Sequence, residues 1–395
     1  MTQTPLTSLA SLIDNEQQLT EQLVQVRREL HQEPELSNEE FQTTAKLRSW
    51  LTAANIRILD LPLSTGLIAE IGSGRSPIVA IRADIDALPI EEATGLPFAS
   101  VIPGKMHACG HDFHTASMLG AAYLLKAREA ELPGTVRVLF QPAEETGHGA
   151  KAILESGGLR GVSAIFGLHN NPDLSVGSFG TRSGALTAGV DRFIITIRGK
   201  GAHAAQPERG QDTIVTAAQI ITSLQTITSR LTRASESLVV SVTRINGGNT
   251  WNVLPGFVEL EGTVRTHNET IRAVVPQQIT QIIEGIAAAA GVQAELNWIP
   301  GPPATVNDEY WAEFATETAA KLGLETQDLE PQMGGEDFAF YLQQIRGAFV
   351  NIGTGGAFGH HHPQFDVDEA ALLPTAQYFA KLAVSALESL NSPSF

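Results

Sequence analysis

Short runs of consecutive apolar residues, each giving way to polar or charged ones, recur along the first half of the chain. Ile78-Val-Ala-Ile81 leads into Arg82-Ala-Asp84-Ile-Asp86, Thr135-Val-Arg-Val-Leu-Phe140 into Gln141-Pro-Ala-Glu144-Glu145, and Ala164-Ile-Phe-Gly-Leu168 into His169-Asn170. Runs of this kind are strands buried on both faces, and helical stretches such as Thr115–Lys126 separate them. The alternation predicts an α/β fold with a mostly parallel sheet and helices on both faces. Such sheets bind ligands beyond the carboxyl ends of their strands, where these Asp, Glu and His residues emerge. Ahead of the first strand, Leu19 to Leu30 reads as an amphipathic helix closed by His31-Gln-Glu-Pro34. Ser37 and Glu40 have the spacing of a capping box, which starts a second helix through about Leu51. His31, at a helix C-terminus, reads as an end residue that compensates the helix dipole rather than as a ligand.

From about Ala188 the period changes. Arg192–Arg198 alternates as a strand, Thr213–Leu231 is helical, and Leu238–Ile245 and Val258–Arg265 are strands. Ile271–Ala290 is helical again and Gln293–Trp298 closes as a strand. The order β-α-β-β-α-β is the ferredoxin-like split unit, long enough to be a domain inserted into the first. Gly301-Pro-Pro303 supplies the return linker, after which Ala348–Ile352 reads as a buried strand and Glu369–Leu390 as a closing helix. The expected domains are therefore 1–187, an insertion over 188–300, and 301–395.

Length and composition narrow the classes. At 395 residues the chain exceeds one ordinary core, and 43% hydrophobic with 17% charged residues places it among well-buried globular proteins. No apolar run approaches the roughly 20 residues of a membrane span. The start, Met1-Thr-Gln-Thr-Pro-Leu6, lacks the basic and apolar regions of a signal peptide, so with a single cysteine a reducing cytoplasm is expected. A net charge of −17 argues against a sequence-independent grip on nucleic acid.

The one cysteine lies in His107-Ala-Cys109-Gly-His111-Asp112-Phe-His114. Thiolate, imidazole and carboxylate together are the donors of zinc, manganese, nickel, cobalt or iron sites, although short His-rich stretches also occur as solvated loops. A nucleophilic Cys109 with a histidine base is a competing reading, but it leaves the remaining histidines and the Glu pair without work. Glu144 and Glu145 do not share a face, so one can hold a metal while the other serves a water as base and acid. The alternative is a solvated pair at a turn. His169 reads equally as a capped core histidine, and His360-His361-His362 as a loop beside the crevice or an incidental polar stretch.

Taken in order, several segments resemble the M20 metallopeptidase family, and within it the amidohydrolase subgroup of N-acyl-amino-acid, hippurate and auxin-conjugate hydrolases. They are Arg27-Arg-Glu-Leu-His31 with Pro34-Glu35, Arg82-Ala-Asp-Ile-Asp-Ala-Leu-Pro89, Met106-His-Ala-Cys-Gly-His-Asp112, Gln141-Pro-Ala-Glu-Glu145 and Gly167-Leu-His169. Gly199-Lys-Gly-Ala-His203, Asn252-Val-Leu-Pro255, Gly262-Thr-Val-Arg265, Gly334-Gly-Glu-Asp-Phe338 and His361-His-Pro-Gln-Phe365 continue the series to nearly the chain's end.

The resemblance implies a metallohydrolase catalytic domain with an inserted lid or dimerisation domain. It implies one or two divalent ions (Mn, Zn, Ni or Co) on Cys109, His111, Glu145, His169 and His361, with His360 or His362 as alternatives to the last. Glu144 would be general base and acid. His203 and Asn252 would hold the oxyanion or substrate, and Arg265 would meet a substrate carboxylate. Asp84 and Asp86 would orient ligands, with His107 and His114 as supporting polar groups. Phe113 stands where many relatives carry a small residue. The expected activity is cleavage of acetyl-, benzoyl- or aryl-acyl amino acids through a metal-activated water. A dipeptidase or carboxypeptidase on the same scaffold, or a non-catalytic metal- or ligand-binding descendant, is the alternative. A small-molecule substrate and a homodimer or higher homo-oligomer are the implied partners, with no nucleic acid and no membrane.

Overall fold

A computed structural model describes residues 15–392; the Met1–Leu6 start lies outside the described residues. The chain divides into two units. One comprises the residues up to Gly184, Val306–Glu330 and the chain from Asp337 onward; the other comprises Ala185–Thr305 and Pro331–Glu336. The 331–336 stretch, which sequence pattern assigns to the second catalytic segment, thus groups with the insertion.

The first unit is built on an eight-stranded sheet. In spatial order its strands are Arg57–Ile58, Leu67–Gly72, Thr135–Gln141, Ile78–Asp84, Val162–Asn171, Gly347–Gly353, Ser178–Thr181 and Glu325–Asp328. The four central strands run parallel, pairing Asp84 with Gln141 and His169 with Asn351. Their carboxyl ends therefore share one edge. Every residue of Ile78–Asp84 and Gly347–Gly353 is buried, as strands covered on both faces must be. On one side the helices Glu16–Gln32, His111–Ala127 and Leu372–Leu390 pack on one another and share one core with the strands, Leu23, Leu119, Val138, Phe166 and Leu382 among its members. The helix His111–Ala127 is buried on nearly all sides, which matches its apolar, small-residue composition.

The second unit has the element order β-α-β-β-α-β. Its antiparallel sheet runs Leu238–Gly247, Phe257–Thr266, Gly189–Arg198, Gln293–Pro300, with helices Thr213–Thr226 and Glu269–Ala290 over its apolar face. Phe193, Ile195, Ile197, Val258, Leu260 and Val264 alternate into that core, while intervening positions are exposed or half-buried.

Two local expectations need correction. The helix after the thiol begins at His111 rather than Thr115, with Gly110 at φ +85 as its cap. Ser37 and Glu40 do not form a capping box: the second helix spans Phe41–Ala53, and it is the Glu35 carboxylate that accepts from Gln42 N and Thr43 N. His31 stands in the last turn of the helix Glu16–Gln32, and it is buried there, with Nδ1 2.8 Å from Asp112 Oδ2 and Nε2 3.3 Å from Glu92 Oε1. At Ser37 and Glu40, tertiary partners outcompete the local chemistry.

Candidate metal centre

Four segments deliver donors to the shared strand edge. Cys109 and His111 flank Gly110, whose left-handed φ turns the chain so that thiol and imidazole face the same way. A Cβ at Gly110 would collide with the Asn170 amide, so no other residue fits. Glu144 and Glu145 follow Gln141, His169 lies near the end of its strand, and His361 follows the strand Gly347–Gly353. Cys109, His111 and His169 offer donor atoms within 4.8 Å of one another; so do Cys109, Glu145 and His361, and so do His111, Glu144 and Glu145.

Hydrogen bonds on the far ring atoms decide which nitrogens are available. His169 Nδ1 lies 2.8 Å from Asn170 O and so carries the proton, leaving Nε2 as a lone pair 3.4 Å from Cys109 Sγ. His111 Nδ1 pairs with Asp86 Oδ1 at 3.2 Å, and its buried Nε2 has no hydrogen-bond partner among the described residues. His114 differs. Its Nδ1 donates to Asp84 Oδ1 at 2.6 Å and its Nε2 accepts from Asn170 N at 2.9 Å, so its lone pair is already used. The consecutive histidines separate in the same way: His360 Nε2 bonds Asn170 Oδ1 at 3.1 Å, and His362 stacks on Phe358 and accepts from Gln364 N. His361, at φ +63, instead brings Nε2 to 3.4 Å from Glu145 Oε1.

The donor set fits a divalent cation. Ligand atoms about 2.1–2.3 Å from a common centre in a tetrahedron lie about 3.4–3.8 Å apart. Cys109 Sγ to His169 Nε2 is 3.4 Å, His361 Nε2 to Glu145 Oε1 is 3.4 Å and His111 Nε2 to Glu145 Oε1 is 3.9 Å. Electrostatics agree. Burial, with Glu145 and Glu144 beside it, pushes the Cys109 thiol well up. A thiolate here needs a cation, whereas a nucleophilic thiol would need the opposite field. Burial works against charge on His111, but Asp84 and Asp86 outweigh it and raise its pKa to about 10, marking a place that attracts positive charge.

Of the residues expected in the inserted unit, His203 and Asn252 come together. Val253 pairs with His203 across a two-stranded ladder, and Ala204 N donates to Asn252 O at 3.0 Å. His203 is exposed. Arg265 lies on the strand Phe257–Thr266, donating to Met333 O at 2.8 Å. His107 is buried, with neither ring nitrogen hydrogen-bonded among the described residues.

Sequence reasoning missed several supporting residues. Asn170 touches His114, His360 and the Cys109 carbonyl, and its own carbonyl holds His169. Arg82, Gln141 and Asp337 form a buried network behind the sheet edge, and Asp337 N donates to Glu144 Oε1 at 3.3 Å. Polar residues at the end of an apolar strand were the available signal.

Fold and donor set together describe an α/β metallohydrolase. The sequence profile of Peptidase family M20/M25/M40 matches residues 80–385. An N-acetylcysteine deacetylase of Bacillus subtilis is 53% identical over 371 residues, 93% of this chain and 98% of that one. An IAA-amino acid hydrolase of Arabidopsis thaliana is 40% identical over 381 residues, 94% and 87% of the two chains. The crystal structure of a B. subtilis dinuclear metal-binding peptidase of the M20 family superposes with a TM-score of 0.85 at 51% identity, covering 94% of this chain and 99% of that one. The chain belongs to the M20 family, in its amidohydrolase subgroup.

Proposed function

We propose that this chain hydrolyses the amide bond of N-acyl amino acids, with one or two divalent ions held by Cys109, His111, Glu145, His169 and His361. The observation that carries the reading is the orphaned, buried His111 Nε2 facing Glu145 and the second lone pair, His169 Nε2, on Cys109. Bound there, a divalent cation supplies Lewis acidity and brings the pKa of a water towards neutrality. Glu144 takes the proton of the attacking water and returns it to the departing amine. Asp86 and the Asn170 carbonyl keep the His111 and His169 rings in the tautomer that exposes Nε2. His203 and Asn252 are proposed as oxyanion and substrate groups, and Arg265 as the partner of the substrate carboxylate.

The dipeptidase or carboxypeptidase alternative is not favoured, because relatives matched over nearly the whole chain are a deacetylase and an IAA-amino acid hydrolase. Manganese, zinc, nickel or cobalt all suit the mixed S, N and O donors. We extend the reading to a homodimer, since Leu238–Gly247 and Gln293–Pro300 are the two edge strands of the four-stranded sheet. Among the described residues no helix is long and apolar enough to cross a membrane. A single cysteine at the proposed centre suits a reducing cytoplasm. The base assignment is tested by Glu144→Gln, expected to lower kcat roughly 10²–10⁴-fold with metal content unchanged. Near-normal turnover in that variant contradicts it.

A further inference from the structure

The turn carrying Glu144 and Glu145 closes on itself through Gly147 N to Glu144 O at 2.7 Å and Gly149 N to Ala143 O at 3.1 Å, yet its left-handed residue is not a glycine. Ala143 sits at φ +53, a conformation glycine adopts freely and alanine resists. Among the described residues four non-glycine positions have positive φ: two are asparagines, and the others are Ala143 and His361, both at the candidate centre. Strain of this kind persists only where surrounding bonds enforce it.

Beyond the turn's own bonds, two side chains of one upstream segment reach it. Glu40 Oε1 accepts from Ala143 N at 2.8 Å and from Asn38 N at 3.0 Å, while its Oε2 accepts from Thr65 Oγ1 at 2.8 Å. Ser37 Oγ donates to Asp86 Oδ2 at 2.6 Å, and that same oxygen accepts from Glu145 N at 3.1 Å. The two side chains therefore grip the turn on either side of Glu144, one directly and one through Asp86. Glu40 is fully buried, so its carboxylate is costly unless every bond it makes is kept. Glu40 stands at the N-cap of the helix that follows, but its side chain makes no cap bond.

We propose that Ser37 and Glu40 are positioning residues that hold the Ala143–Glu145 turn so that Glu144 and Glu145 face the donor cluster. The inference rests on the roles proposed above for Glu144 as base and Glu145 as metal ligand. Glu40 acts as a hydrogen-bond acceptor for a strained amide, not as a charge. A glutamine can do the same, with the Thr65 hydroxyl turning to accept from its amide.

The test uses the full chain and four variants, Glu40→Ala, Glu40→Gln, Glu40→Ala with Ala143→Gly, and Ser37→Ala. Each is titrated with cobalt(II) alone, followed by visible absorption, and assayed for kcat and KM on an N-acetyl amino acid. Glu40→Ala is expected to weaken cobalt binding about tenfold or more and to lower kcat by more than it changes KM. Glu40→Gln rescues both. The added Ala143→Gly recovers part of the loss, because glycine keeps the turn without the anchor. Parent-like cobalt affinity and kcat in Glu40→Ala overturn the proposal, as does a Glu40→Gln variant as impaired as the alanine, or a double variant with no recovery. Should Glu40→Ala not fold, Ser37→Ala at a half-buried hydroxyl carries the test, with weaker cobalt binding expected and unchanged binding contradicting it. A parent chain that binds cobalt but cleaves no N-acyl amino acid defeats the functional reading, while the cobalt titrations still decide the positioning role.

Discussion

Cys109 shows how surroundings choose between two chemistries of one side chain. Next to His169 Nε2 alone it resembles a thiol with its base; with Glu144 and Glu145 also beside it, a thiolate is stable only against a cation. On the proposed role, Cys109→Ser replaces a soft donor with a weak, harder one. It should lower zinc or cobalt affinity about tenfold or more and lower activity in step. Full metal content with a trapped acyl-enzyme would instead restore the nucleophile. His31 offers a separate test away from the donors. Burial opposes its charge, but Asp112 and Glu92 outweigh that and raise its pKa from 6.5 to about 9. A raised folded-state pKa adds stability that is fully present below about pH 6.5 and lost as pH climbs through about 9. Urea unfolding should therefore show stability falling over that window by on the order of a few kcal/mol, and His31→Gln should flatten the fall. An unchanged slope in the variant would show that this ring is not charged in the folded chain.

At the scale of elements, the site depends on where one helix starts. His111 is its first residue and Gly110 its left-handed cap, pressed against Asn170. Gly110→Ala introduces both strain and collision and should cost about 2–4 kcal/mol in urea unfolding, with cobalt binding weakened as well. A stable variant with full affinity would mean that the close approach is dispensable. The buried strands were legible because unbroken apolar runs have few other fates, and both helices of the inserted unit because their apolar periods are long. Ser178–Thr181 and Glu325–Asp328 were not: each is four residues, and the second is mostly exposed at the sheet edge, so neither carries a pattern. Ser37 and Glu40 misled because the residues of a capping box are also good partners for distant amides, and only the fold says which they meet. Asn170 was invisible as a hub for a similar reason. A lone amide near the end of a strand has no period, and its four contacts are all tertiary or backbone.

Across the whole molecule, a parallel strand edge collects candidate metal donors from four distant segments, and the donor atoms are oriented by residues more distant still. Donor chemistry at the strand ends pointed to Cys109, His111, Glu145 and His169 as candidates, but the full set, with His361 chosen from the Pro363 and Phe365 that follow it, came from the family resemblance; the partners of His360 and His362 in the fold support the same choice. If this assembly is a metal-dependent amidohydrolase, chemistry and metal must disappear and return together. The direct measurement is amino-acid release from acetyl-, benzoyl- and indoleacetyl-amino acids, N-acetylcysteine included, before chelation, after it, and after Mn, Zn, Ni or Co is resupplied. The account predicts hydrolysis of at least one conjugate, abolished by chelation and restored by a divalent ion. Turnover that persists in chelated protein free of bound metal, or none with any conjugate and any of the four metals, would contradict it.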